Sequence, residues 1–492
     1  MRKIGFLVGI LVVLGLFLGV QEQAWAQIIS GSGGLPTIKG ETPAFTAKGF
    51  EFFLTGAVSL DMAYDTNDVG GYENNVTSVP IRGVDTFREG SDTFHATAAA
   101  SPLGFGIKGP GLWGGTGRAY FEFDMLGVEG GVTCVTNINF DEATSQNVCS
   151  ENTGTRVKLA FAQLGWPHSQ TGIGDVTLTF GKAVQPSILL AAEVPEDPAV
   201  QGFIFSWAPQ LGIGTSIPMG KGNALNMGFA AVDPPNGVFG FGSNLKVTGV
   251  GSGQTGAANY SGIPILDGSI SFSSDFLGRI NYYGGLVPFT LGVGGFYGRE
   301  EFKVDQFSSS GPIGMPAWLV SGNLILPILG TKTDKRAGTL GVKVNVWHGE
   351  NTDAYLGNMY HGAFVVGEGA CTGVSGAVAI ISCGDFDAFP AKGTGAWTTI
   401  QWFPGETVML WTLLAGVWED ELPVGVAKLD GSDNFTQEGR SLYAGLTKNF
   451  NVSLSTTLMF RYLYREKDEN TTGGILRRGE SYRVLWDWSY AF

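Results

Sequence analysis

Apolar and polar positions alternate with a period of two along much of this chain. From Tyr482 the even positions read Tyr482, Val484, Trp486, Trp488, Tyr490 and Phe492, and the odd positions read Arg483, Leu485, Asp487, Ser489 and Ala491. Such alternation marks a strand with one apolar and one largely polar face. It recurs upstream. Leu454, Leu458, Phe460, Tyr462 and Tyr464 oppose Ser455, Thr457, Arg461 and Arg465, and Leu340, Val342, Val344 and Val346 oppose Thr339, Gly341, Lys343 and Asn345. Val157, Leu159 and Phe161 oppose Arg156, Lys158 and Ala160, while Val176, Leu178 and Phe180 oppose Asp175, Thr177 and Thr179. Read this way, the chain predicts about sixteen strands (eighteen is the alternative count). They lie near 49–64, 92–106, 116–128, 155–167, 174–185, 203–216, 222–233, 265–280, 286–303, 316–328, 337–349, 396–404, 406–418, 439–449, 451–465 and 480–492.

The connections sort by parity. After odd-numbered strands they are long, as at 65–91, 129–154, 186–202, 234–264, 350–395 and 419–438. After even-numbered strands they are short, as at Pro404-Gly405 and Asn449-Phe450. A soluble sandwich has no reason to sort loops so. A transmembrane barrel has short turns on its periplasmic side and long loops outside. The predicted fold is therefore all-β, a transmembrane antiparallel β-barrel over 49–492. Trp486, Trp488, Tyr490 and Phe492 fall on its lipid-facing side as membrane-interface aromatics, since Trp and Tyr collect at the two interfaces.

Residues 1–26 read as a signal peptide for export. Arg2 and Lys3 precede an apolar core from Ile4 to Val20, and Ala24-Trp25-Ala26 supplies the small-x-small cleavage site. A Gly/Pro/Ser-rich periplasmic lead-in, 27–48, follows. The formal net charge of −14 argues against nucleic acid as a partner, which would want a basic face. The 76 glycines are interleaved with Val, Leu, Phe, Tyr and Thr, a mixture suited to strands and tight turns. Four cysteines form two local pairs, Cys134 with Cys149 and Cys371 with Cys383, both in predicted external loops. Export to an oxidising compartment allows disulfides there, and local pairing is the simplest of the three connectivities.

Export signal, sorted loops, strand number and terminal Phe together resemble a Gram-negative outer-membrane porin. Within that group, Leu159-Ala160-Phe161-Ala162-Gln163-Leu164-Gly165 with Thr179-Phe180-Gly181-Lys182, then Trp207-Ala208-Pro209-Gln210, resemble the strands around the constriction loop of the DcaP-like porins. Those porins can carry an N-terminal helical extension, for which this chain has no room. The resemblance implies a homotrimer in the outer membrane, lipid and lipopolysaccharide as surroundings, and the barrel assembly machinery as a partner during biogenesis. It also implies passive diffusion of small polar solutes, without cofactor.

By the same resemblance, the loop at 186–202 folds inward as a pore constriction. Ser187 is placed to cap a short helix through Leu189–Ala192, and Glu193, Glu196 and Asp197 follow. Opposite these acids, alternation expects Arg118, Arg156, Lys158, Lys182, Lys343, Arg461, Arg465 and Arg483 on the inner wall. Acids facing bases across a narrow opening set up a transverse field. For any single base the plainer reading is a wall charge paired with Glu122, Asp124 or Asp487. The external loops are acidic and the expected inner wall basic, so ion preference stays open, with a lean to small anionic or zwitterionic solutes. A closed barrel acting as adhesin or structural anchor is the alternative.

Catalytic chemistry finds little footing. His95 beside Ser91 and Asp92 is the one candidate base, and no Gly-x-Ser-x-Gly or His-Glu-x-x-His motif is present. No Cys/His spacing suits zinc. Asp430, Asp433 and Glu438 are a candidate calcium loop, better read as a solvated acidic loop.

Overall fold

The computed structural model describes residues 42–67, 92–98, 101–127, 134–137, 146–149, 154–190, 207–233, 264–282, 285–302, 313–350, 352, 363–367, 386–390, 392–419, 434–451, 453–469 and 475–492. The signal and most of the lead-in lie outside these residues.

The strands in chain order are β1 (Thr42–Ala47), β2 (Phe50–Asp65), β3 (Thr93–Thr97), β4 (Leu103–Pro110), β5 (Thr116–Gly127), β6 (Cys134–Asn137), β7 (Gln146–Cys149), β8 (Gly154–Trp166), β9 (Asp175–Val184), β10 (Trp207–Gly220) and β11 (Asn223–Val232). They continue as β12 (Ile265–Tyr282), β13 (Gly285–Phe302), β14 (Ile313–Leu329), β15 (Leu340–Glu350), β16 (Ala363–Gly367), β17 (Phe386–Pro390), β18 (Lys392–Gly405), β19 (Val408–Glu419), β20 (Asn434–Asn449), β21 (Leu454–Glu469) and β22 (Ile475–Ala491). Eighteen segments share one antiparallel sheet, while β6–β7 and β16–β17 are separate hairpins. β3 and β4 both pair with β2 and occupy one position. β1 is an extra segment on β2. Sixteen positions remain, and β2 pairs with β22 to close the barrel.

All sixteen expected strands are present. The connections sort as expected, with 221–222, 283–284 and 406–407 among the short ones and 233–264 and 351–391 among the long ones. The last external connection is a correction. β21 and β22 run on past the expected ends, and Glu469 pairs with Ile475 across 470–474.

Burial follows the alternation. On β22, Arg483, Leu485, Asp487, Ser489 and Ala491 are buried while Tyr482, Tyr490 and Phe492 are exposed. The outer surface carries Val58, Phe105, Leu211, Ile213, Leu291 and Val320, each more than half exposed. An apolar exterior of this kind suits lipid. No described helix is long and apolar enough to cross a membrane. The barrel crosses with strands, which satisfy their backbone groups between neighbours.

Two departures from simple alternation have local causes. On β8 the pairing with β5 goes from Glu122↔Leu159 to Phe123↔Val157, so Lys158 is an extra, bulged residue. The bulge brings Lys158 and Leu159 to the inner face together. Leu159 and Phe161, expected on the lipid side, are therefore buried inside, where Phe161 packs 5.8 Å from the Tyr120 ring. At the N-terminal side, the end of the lead-in is itself a strand. Lys48 and Gly49 both take positive φ, 49° and 83°, the two-residue turn that matches the twist of a hairpin. β1 thereby pairs with Phe50–Leu54, the stretch of β2 preceding the Ala57↔Ala491 pair where β22 ends.

Large inner-facing aromatic side chains lie against glycines on the neighbouring strand. Phe53 covers Gly106, Tyr120 covers Gly104, Trp347 covers Gly395 and Trp411 covers Gly445, and a Cβ on any of these glycines would collide with the ring. The wall thus holds bulky aromatics without projecting them far toward the axis.

Candidate functional site

The inner wall carries charge of both signs. Among the described residues, the buried cations are Arg118, Lys158, Lys343, Arg461 and Arg483, and the buried anions are Asp61, Asp65, Glu122, Asp124, Asp267 and Asp487. They fall into groups set by strand register. Arg483 lies opposite Asp65 on β2 and Arg461 on β21, and its Nε and Nη2 each donate to an Asp65 carboxylate oxygen at 2.8 Å. This is the forked geometry in which a guanidinium binds a carboxylate most strongly. Four residues further on β22, Asp487 faces Asp61 directly.

A second group sits on β5 and β8. Lys158 lies 3.4 Å from Asp124 and 5.3 Å from the centre of the Trp207 ring. The Tyr120 hydroxyl donates to Glu122 at 2.6 Å and lies 2.7 Å from the Thr55 hydroxyl. The Arg118 guanidinium stands 5.3 Å from the Phe53 ring centre. Across the barrel sequence, Lys343 on β15 donates to Gln401 at 2.7 Å and lies 4.6 Å over Tyr282. Cation and ring face attract one another through the ring quadrupole, more strongly where water is excluded.

The chain after β9 enters this wall. Ser187 donates its backbone N–H and its hydroxyl to the two oxygens of Asp267 on β12, at 2.7 and 2.5 Å. Both residues are buried, as are Gln185 and Leu190. Glycines make the room. A Cβ on Gly228 would lie 3.0 Å from Pro186, and one on Gly292 would lie 2.6 Å from Leu189. One on Gly294 would collide with the Ser187 carbonyl. Gly228 pairs with Ser269 and Ser269 with Gly294, so two of these glycines stand in one row across β11, β12 and β13. Residues 185–190 thus cross the inner face in a shallow groove, ending with Leu190 in a cluster that contains Tyr282, Ile325, Trp397 and Trp411.

Several sequence-predicted positions are thereby located. Arg118, Lys158, Lys343, Arg461 and Arg483 are on the inner face, and Arg465 shares the inner parity of β21 and is half-buried. Arg156 is described by its backbone alone, opposite Asp124. Lys182 is a correction. It shares the parity of Phe180, which is exposed on the outer face, and its Nζ donates to the Val157 carbonyl at 2.7 Å. Ser187 is a second correction. No helix begins at it among the described residues, and its hydroxyl goes to Asp267 instead. Glu193, Glu196, Asp197, Cys371, Cys383, Asp430 and Asp433 lie outside the described residues. Trp486, Trp488, Tyr490 and Phe492 have the outer parity of β22; the Trp486 indole donates to Thr456 at 2.8 Å. Cys134 and Cys149 are directly opposite partners in the β6–β7 hairpin.

Asp61, Asp65 and Asp267 went unnamed in the sequence reading. The first two were legible, because Val58, Leu60, Met62 and Tyr64 alternate with Ser59, Asp61, Ala63 and Asp65. Asp267 carried no such signal, since its partner comes from a loop 80 residues away. His95 is described by its backbone alone. His348 is on the outer face, its Nδ1 2.9 Å from the Thr394 hydroxyl. Among the described residues no group of three or more His, Cys, Asp or Glu side chains is placed to hold a metal ion.

No family model and no curated protein matches this sequence. Solved structures do. The chain superposes on the outer membrane channel DcaP of Acinetobacter baumannii with a TM-score of 0.57 at 13% identity, over 92% of this chain and 100% of that one. The anion-selective porin from Comamonas acidovorans aligns at 0.47 and 11% identity, over 90% and 100%. OprB of Pseudomonas putida aligns at 0.43 and 10% identity, over 90% and 94%. At such identities the likeness concerns the fold, and in fold this chain is a closed sixteen-stranded transmembrane barrel of the outer-membrane porin kind.

Proposed function

We propose that this chain is an outer-membrane porin through which small hydrophilic solutes diffuse passively, filtered by size and by charges at an inward-folded loop. The observation that carries the reading is the course of residues 185–190 across the inner wall of a closed barrel, fixed by Ser187 on Asp267. On this reading Glu193, Glu196 and Asp197, which follow in the chain, supply the acidic side of the filter, and Lys343, Arg461 and Arg483 of the wall supply the basic side. No bond is made or broken in this action, and no cofactor enters it.

Five buried cations against six buried anions make the described inner wall mixed rather than basic. That balance supports zwitterionic and small polar solutes more than a plain anion filter. Charges inside a low-dielectric wall act on a solute more strongly than the same charges at a solvated rim. The remaining parts of the reading follow the porin fold. The chain is exported with loss of residues 1–26, is inserted by the barrel assembly machinery among lipid and lipopolysaccharide, and assembles as a trimer. Trp486, Trp488, Tyr490 and Phe492 sit at a membrane interface, and Cys134–Cys149 and Cys371–Cys383 are disulfides of the external loops.

The test is single-channel conductance in planar bilayers under a salt gradient, with liposome swelling in small sugars. Discrete conductance steps and swelling are expected. Silence in both assays, from protein shown to be folded, would replace this reading by a closed barrel.

A further inference from the structure

The periplasmic end of β12 contains a feature that the channel does not use. Pairing with β13 passes from Ser274↔Phe289 directly to Arg279↔Pro288, so four residues, Asp275 to Gly278, are extruded from the ladder. The extruded knuckle is built rather than loose. Arg279 binds both carboxylate oxygens of Asp275, at 2.9 and 2.8 Å. Arg279 and Thr331 exchange two backbone hydrogen bonds at 2.7 and 2.8 Å, and the Asp275 N–H donates to the Gly222 carbonyl. Gly278 takes φ +76°, and a Cβ there would lie 2.8 Å from the Thr331 carbonyl. Two neighbouring turns, at 221–222 and 330–339, are tied to the knuckle in this way.

The product of this construction is an apolar projection. Phe276 is 63% exposed and Leu277 37%. Phe276 packs edge-on to Phe289 with ring centres 5.3 Å apart, which joins the projection to the barrel wall. Met219, Ile328 and Leu329, at the strand ends that lead into the two tied turns, are exposed as well. The same turns carry Lys221, Lys332 and Lys335, all exposed. Asp334 lies on the same turn and the Glu406 carboxylate accepts from the Arg336 and Ala337 N–H groups of that turn, while Asp275 is taken up by Arg279, so basic side chains still outnumber acids there. Among the other short turns, 111–115 and 167–174 have no lysine, 406–407 brings Glu406, and the β1–β2 turn brings the single Lys48. In a chain of net charge −14, this is a local excess of positive charge next to exposed apolar side chains.

We propose that this knuckle binds an anionic phospholipid of the periplasmic leaflet, with its phosphate among Lys221, Lys332 and Lys335 and its acyl chains against Phe276, Leu277 and Ile328. Apolar contact alone would accept any phospholipid. The lysines add selectivity for a net negative headgroup, since each basic residue near a membrane surface favours anionic lipid by roughly a factor of five. The attraction is exposed and therefore screened by salt. The proposal uses the membrane orientation of the barrel and goes beyond the channel reading, on which it does not otherwise depend.

The experiment is native mass spectrometry of the full chain released from detergent, titrated with phosphatidylglycerol, phosphatidylethanolamine or phosphatidylcholine of equal acyl chains. Phosphatidylglycerol is expected to bind at least tenfold more tightly than phosphatidylcholine at low salt, a factor of about five for each lysine that Asp334 does not offset. The Lys221→Gln/Lys332→Gln/Lys335→Gln variant is expected to bind all three alike, while Phe276→Ser/Leu277→Ser weakens all three together. Equal binding of the three lipids by the unmodified protein, or an unchanged preference in the lysine variant, would overturn the proposal. Single-channel conductance of the lysine variant is expected to match the parent, so a failure here is distinct from a failure of the channel itself.

Discussion

Ser187 and Asp267, 80 residues apart, form a two-point clasp in which one residue offers two donors and the other two acceptors. Asp267→Ala leaves the Ser187 N–H and hydroxyl buried without their acceptors, at a cost of about 2 kcal/mol. That shifts the balance of docked and released loop by roughly thirtyfold. The expected outcome is a larger and noisier single-channel conductance from a barrel that still resists unfolding in detergent. Unchanged conductance would mean that the clasp does not set the aperture.

The glycine groove makes a second, independent prediction. Gly294→Ala places a methyl against the Ser187 carbonyl, whereas Gly322→Ala, one strand away, meets nothing within 4 Å. The first variant is expected to reproduce the Asp267→Ala conductance and the second to match the parent. Equal behaviour of the two alanines would refute the groove.

Lys343 and Lys182 separate inner wall from outer wall. Lys343→Gln removes a cation that stands over Tyr282 on the inner face, and the reversal potential under a salt gradient is expected to move toward cation preference. Lys182→Gln removes a cation from the outer face, and no shift is expected. The same measurement on both variants decides the assignment.

The Arg483–Asp65 fork is a fully buried, two-bond ion pair of the wall. Asp65→Ala strands a buried guanidinium and is expected to cost about 3 to 5 kcal/mol. Urea unfolding followed by tryptophan fluorescence reads this directly. The double variant Asp65→Ala/Arg483→Leu is expected to recover part of the loss, since it removes a buried charge that has lost its forked carboxylate.

Cys134 and Cys149 face one another across a short hairpin. Alkylation of the unfolded protein is expected to fail without reductant and to label both residues after reduction. Labelling without reductant would show free thiols.

How much of this was readable in the sequence depends on how local the cause was. The strands on which Lys343, Arg461 and Arg483 stand alternate without interruption, so both the strand and the facing of its charges followed from parity. β8 failed for a physical reason. One extra residue, Lys158, reverses the parity of everything on one side of it, and no local propensity marks that residue. Lys182 failed more simply, since the alternation of Val176, Leu178 and Phe180 already put it outside. For Ser187, a capping residue before Leu189 and Leu190 looked like a helix start, and a tertiary acceptor took its hydroxyl instead. The knuckle at Asp275–Gly278 had no period to betray it.

The closure of β2 on β22 bears on how the chain reaches its final form. Successive barrel strands pair with their neighbours in sequence, so each can be added to the last as a hairpin at small entropic cost. One ladder differs. The Ser59–Ser489 hydroxyl contact joins residues 430 positions apart, and the β1 hairpin and Phe492, whose N–H donates to Gly56, meet at the same place. By far the largest sequence separations in the sheet lie in that one line. Long-range contacts are the slow ones to form, because the intervening chain must be gathered first. The seam is therefore the last ladder to zip and the natural point of first opening. Until it zips, the open sheet exposes two complementary edges, β2 and β22, each a template for a foreign strand.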